Sequence, residues 1–180
     1  MLTVTVPGGE FYDEETNLFE TYPSVELRLE HSLVSIAKWE SKWKHPFLKK
    51  EPRKTEEEIL DYIRCMTITQ NVDEGVYKRL SYDNVAAITE YIETDQTATT
   101  FSNDGSRPTR EIITAELIYY KMVAHGIPFE CQKWHLSRLL ALIRVCDIKA
   151  NPGKKMPMHE VLSRNRKLNE ARRKAGHTRG

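Results

Sequence analysis

The hydrophobic period of this chain changes once, at His31. In "LTVTV", Leu2, Val4 and Val6 alternate with threonine, and in "VELRLE", Val25, Leu27 and Leu29 alternate with Glu26, Arg28 and Glu30. Alternation with polar partners describes strands that have one wet face. Between them, "EFYDEETNLFE" sets aromatic or apolar pairs on both sides of a polar turn, which reads as a hairpin. Pro7-Gly8-Gly9 and Pro23 punctuate these pieces. Residues 1–31 are therefore expected to form a small antiparallel unit of three or four strands packed on the rest.

Beyond His31 the apolar residues recur at helical spacing. Ser32 is the expected N-cap of a first helix whose stripe runs Leu33, Ile36, Trp39, Trp43 and Phe47, with Pro46 at or just past its end. Thr55-Glu56-Glu57-Glu58 is a capping box, opening a helix through Ile59, Tyr62, Ile63 and Met66. A short helix is expected near Asp73–Leu80. Another starts at Ser81 and buries Val85, Ile88, Tyr91 and Ile92. Thr94 to Pro108 reads as the longest loop, with Thr109 as the following cap. "REIITAELIYYKMVAHG" is apolar on nearly every side and is expected to be the central helix, ended by Gly126. After Pro128, "FECQKWHLSRLLALIRVCDIK" reads as one further core helix burying Leu136, Leu139, Leu140, Ile143 and Cys146. The fold class is mainly α: a helical domain of five or six helices over 32–149, the β unit before it, and a linker with a basic helical arm over 150–180. The arm's apolar stripe (Met158, Val161, Leu162, Leu168) is narrow, so order there is expected only once something covers it.

Function classes narrow by what the residues supply. The three cysteines are widely spaced and read as reduced thiols of the cytosol. Cys131 and His135, four apart, could face one metal, but no third and fourth ligand stand near, so both read as core residues. No glycine-rich phosphate loop is present, and Asp13-Glu14-Glu15 lies in a solvated turn that cannot tune an acid against a base. No apolar run is long enough to span a membrane. The reading is a non-enzyme without cofactor or metal.

The charge is polarised along the chain. Residues 1–30 hold seven acids and one base, and residues 151–180 hold nine bases and two acids. The ends can pair within one chain, pair head to tail between copies, or leave the basic end to an outside polyanion. The basic arm (Arg164, Arg166, Lys167, Arg172, Arg173, Lys174) contains no aromatic residue with which to grip a single strand, which disfavours nucleic acid as the partner. Trp39 and Trp43 pack a core first. Glu40 lies in the same stripe and needs a cation, with Arg64, Arg138 and Arg144 as candidates. An unmatched Glu40 would mark Trp39, Glu40, Trp43 and Phe47 as the edge of a protein-binding groove.

Leu29-Glu30-His31 with "SLVSIAKWESKWKHPFL", "ILDYIRCMTITQNV", "REIITAELIYY", "IPFECQKWHLSRLLALIRVC" and "LSRNRKLNEARR" resembles a family of small proteins of long-tailed bacteriophages, the tail assembly chaperones. The likeness runs from about His31 to Arg173 and is one of whole segments. It implies a non-enzymatic protein of the host cytoplasm that binds the tape-measure protein, keeps it soluble and helps recruit tail-tube subunits. A structural virion protein of the neck or tail end is the first alternative. A nucleic-acid-binding regulator using the basic arm is the second.

Overall fold

A computed structural model of the chain describes residues 1–13, 17–49, 51–101 and 112–150, together with Ser163, Arg166, Asn169 and Glu170. The protein is mainly helical with a small antiparallel β portion. It divides into two units, 1–144 and 145–180.

Strands β1 (Leu2–Val6) and β4 (Val25–Leu29) form one antiparallel ladder, and β2 (Gly9–Asp13) and β3 (Leu18–Tyr22) form another. Leu2 faces Leu29, Val6 faces Val25, Gly9 faces Tyr22 and Asp13 faces Leu18. The two residue numbers of every pair add to the same total, so the four strands are one long hairpin in constant register, interrupted midway. The interruption falls at Pro7 and Pro23, which cannot donate to a ladder. Next to Pro7 and across from Pro23, Gly8 lets the two backbones close: a methyl group there would sit 2.6 Å from the Tyr22 carbonyl oxygen and 2.7 Å from the Ser24 amide nitrogen. Gly8→Ala should therefore splay the hairpin at its waist and cost about 1–3 kcal/mol, read as a lower denaturation midpoint. An unchanged midpoint would show that the waist yields freely.

In the lower half of the hairpin the alternation does what the sequence implies. Val4, Val6, Leu27 and Leu29 are buried, while Thr3, Thr5, Glu26 and Arg28 face outward. The outer edge of β4 is covered by the segment after the second helix, through Ile68 N–H to Arg28 C=O (2.7 Å), Glu30 N–H to Met66 C=O (3.0 Å) and Arg28 N–H to Thr69 Oγ1 (2.9 Å).

The helices are α1 (Leu33–Trp43), α2 (Glu56–Met66), the single turn α3 (Gly75–Lys78), α4 (Tyr82–Glu93), α5 (Ala115–Ala124) and α6 (Leu136–Ala150). Ser32, Thr55 and Ser81 each cap the N-terminus that their sequence position implied. Each closes a reciprocal box, with Ser35, Glu58 and Asn84 respectively. The hub is α1, which packs on α2, on α5 and on the 3-10 turn Phe129–Lys133. It buries Leu33, Ser35, Ile36, Trp39 and Glu40.

Five local expectations are corrected. Phe47 is not on α1: the helix ends at Trp43, Lys44 takes a left-handed conformation (φ 60°), and the chain folds back. Ile59 of α2 is exposed, because the buried stripe is Glu58, Tyr62, Ile63 and Met66. Of the four residues expected inside α4, only Ile88 is buried, and Val85, Tyr91 and Ile92 are half-buried. α5 begins at Ala115 under a Thr114 cap, so Ile112 and Ile113 precede the helix; the cap expected at Thr109 lies outside the described residues. The run after Pro128 is not one helix. A 3-10 turn comes first, Trp134 is extended, and α6 starts afresh at Leu136, which breaks the helical relation between Cys131 and His135. In α6, Leu136, Leu139 and Ile143 are buried as expected, with Leu140 and Cys146 half-buried. Gly126 ends α5 with φ 65°, as its position implied.

The loop expected over Thr94–Pro108 is described only to Phe101. Of the basic arm, Ser163, Arg166, Asn169 and Glu170 are helical and exposed; Arg164, Lys167, Arg172, Arg173 and Lys174 lie outside the described residues.

Candidate protein-docking surface

The tryptophans that stood out in the sequence are arranged from the inside outward. Trp39 has no exposed surface, and its indole N–H donates to the Glu58 carbonyl at 2.9 Å. Trp43, half-buried, stacks against it at 6.1 Å and donates to Asp61 Oδ2 at 2.9 Å. Phe47 folds back across Trp39 (5.1 Å, edge-on) and lies flat on Tyr62 (3.9 Å). His45 closes the rim, edge-on to Trp39 and 2.6 Å from Glu58 Oε1. Hydrogen bonds from the Thr55 backbone and from His45 hold the Glu58 carboxyl below the usual carboxylate range. Burial works against the charge on Asp61, but hydrogen bonds from Lys42 and Trp43 outweigh it and lower its pKa.

Glu40 meets none of the three arginines proposed for it. Its Oε1 accepts from the Phe47 amide at 2.7 Å and its Oε2 from the Ala115 amide at 2.8 Å. Ala115 is the first residue of α5, so the carboxylate sits against the positive end of that helix. Two backbone donors replace the cation, and the sequence spacing that suggested an exposed groove edge is explained by a buried cap. Trp39 and Glu40 lie inside the fold; Trp43 and Phe47 keep partial exposure.

A second cluster was not foreseen. His31, at the end of β4, and His135, just before α6, meet edge-on at 5.1 Å. His31 Nδ1 is hydrogen-bonded to the Tyr62 hydroxyl. His135 Nε2 points at the Tyr91 carbonyl (3.1 Å) and its Nδ1 at Ser137 Oγ (2.9 Å), while the Tyr91 hydroxyl donates to Glu30 Oε1 (2.6 Å). Burial, reinforced by His135, lowers the His31 pKa to about 4, and burial lowers that of His135. Both are held neutral at physiological pH. The sequence clue was positional: each histidine directly precedes a helix cap or helix start, where the chain must enter the core. Among the described residues no group of three or more His, Cys, Asp or Glu could hold a metal. No described helix is long and apolar enough to cross a membrane.

An open apolar surface lies elsewhere. α5 turns Ala115, Ile118 and Met122 inward and leaves Tyr120 (67% exposed) and Val123 (63% exposed) outward, with the half-buried Tyr119 beside them. The exposed ring of Phe129 in the 3-10 turn stands 6.3 Å from Tyr119. The expectation that α5 is central is corrected here. It is apolar on most sides because one apolar side is buried and another is displayed, and α1 takes the centre because it packs on both α2 and α5. An apolar aromatic surface of this kind marks a protein contact more often than a solvated face. No known protein family, curated protein or solved structure matches the chain.

Proposed function

We propose that the chain is a tail assembly chaperone of a long-tailed bacteriophage. It acts in the host cytoplasm without catalysis, binds the tape-measure protein and assists tail-tube assembly. The observation that supports this reading is the displayed face of α5, with Tyr120, Val123 and the neighbouring Phe129 open to solvent on a helix anchored from behind. A tape-measure protein presents long apolar helical stripes. A rigid aromatic face can cover one such stripe by helix-to-helix packing, and several weak contacts along one client add through avidity. The segment beyond residue 150 acts in this reading as a basic helical arm.

Co-expression with the phage's own tape-measure protein is the test. The chain should raise the soluble fraction of that protein. Tyr120→Ser combined with Val123→Ser should leave the chaperone folded, because neither side chain is in the core, yet weaken client binding by roughly tenfold or more through lost apolar contact. A tape-measure protein equally insoluble with and without the chain overturns the reading.

A further inference from the structure

The outer half of the hairpin carries a second unpartnered surface with a different chemistry. By register, the face of the ribbon that buries Val4, Val6 and Leu27 in its lower half carries Glu10, Tyr12, Phe19 and Thr21 in its upper half. In the upper half that face is open: Tyr12 is 51% and Phe19 71% exposed. The two rings pair across the strands at 5.3 Å, and the Tyr12 hydroxyl donates to Asn17 Oδ1 at 2.7 Å, so the pair is ordered in place. Among the described residues the sheet of β2 and β3 has two strands, and no further strand pairs with the outer edge of either. A two-stranded ribbon is marginal in water on its own, and an aromatic pair displayed on one gains by being covered.

Charge identifies the cover. Residues 9–22 contain Glu10, Asp13, Glu14, Glu15 and Glu20 and no base. Two such hairpins repel, which excludes pairing of one hairpin with another. The complementary surface is in the sequence itself: residues 161–174 combine Val161, Leu162 and Leu168, at helical spacing, with Arg164, Arg166, Lys167, Arg172, Arg173 and Lys174. That segment needs an apolar contact for its stripe and anions for its cations, and the upper hairpin supplies both. We infer that the aromatic face of β2 and β3 docks the basic segment 161–174 of a second copy of this chain, so that the protein self-associates through hairpin and arm. This inference does not depend on the identity of any client.

The test is sedimentation of the purified full-length chain. The wild type should associate at low salt and dissociate at about 0.5 M salt, where exposed charges are screened. Tyr12→Ser with Phe19→Ser, and separately Arg172→Glu with Arg173→Glu, should each weaken association by roughly tenfold or more while leaving circular dichroism unchanged. The decisive arm is a charge exchange. Glu10→Lys with Thr21→Lys, both on the aromatic face, in one preparation, mixed with Arg172→Glu/Arg173→Glu in another, should restore a mixed complex that neither forms alone. A wild-type chain that stays monomeric, an association indifferent to the hairpin substitutions, or a charge exchange that yields no mixed complex overturns the inference. Because no tape-measure protein is present, failure here leaves the chaperone reading standing, and failure of the solubility test leaves this one.

Discussion

Glu40→Gln should lower the stability of the protein by about 2–4 kcal/mol, with the denaturant midpoint falling and the slope unchanged. The carboxylate accepts one backbone amide on each oxygen, from Phe47 and from Ala115. Glutamine keeps one acceptor and turns an NH2 group toward the other amide, so one buried donor faces another. A carboxylate in the last turn of α1 is unfavourable to that helix, and it is offset only because it caps α5. The loss should be local as well as global. In hydrogen exchange the amides of Phe47 and Ala115, protected in the wild type, should exchange faster in the variant than the amides of α4, which Glu40 does not touch. A change under about 0.5 kcal/mol would mean that water replaces the carboxylate at little cost, and the account of Glu40 as a structural cap would fail.

The second large effect is acid destabilisation centred on the histidine pair. His31 has a folded pKa of about 4 against its ordinary 6.5. The unfolded chain therefore takes up the proton first. The contribution of neutral His31 is complete above pH 6.5, falls as the pH drops toward 4, and amounts to about 3 kcal/mol over that window at 1.36 kcal/mol per pH unit. His135, shifted in the same direction, adds to the slope. Glu58 and Asp61, both held below the usual carboxylate range, add a separate loss only as the pH falls through and beneath that range. Urea denaturation at a series of pH values separates the two. In His31→Phe the slope between 6.5 and 4.5 should flatten markedly, even though the absolute stability drops because the Tyr62 hydroxyl loses its hydrogen bond to His31. An identical slope in the variant would place the acid sensitivity on other groups.

Both effects join residues far apart in the chain, and neither partner set was readable in advance. Glu40 was recognised as anomalous because a carboxylate interrupts an apolar stripe, yet its partners are backbone amides, which every residue but proline carries and no sequence pattern marks. Phe47 continued the α1 spacing on paper. The helix stops four residues earlier, because Lys44 takes a left-handed conformation, and the ring reaches the same cluster from a returning loop. His31 and His135 carried no joint signal at all. α5 was read as the central helix, since composition reports how apolar a helix is and not how many of its sides find a neighbour.

What the sequence settled without help is whatever is decided within a few residues. The switch of period at His31, the helix starts at Ser32, Thr55 and Ser81, the punctuation at Pro7 and Pro23, and the stop at Gly126 all depend on contacts between near neighbours or on backbone angles that particular residues enforce. Tertiary structure alone decided which helix is the hub, where a buried carboxylate finds its donors, which histidines meet and which apolar face stays open. Those outcomes depend on which surfaces pack first and leave the others over, and local propensity carries no information about that competition.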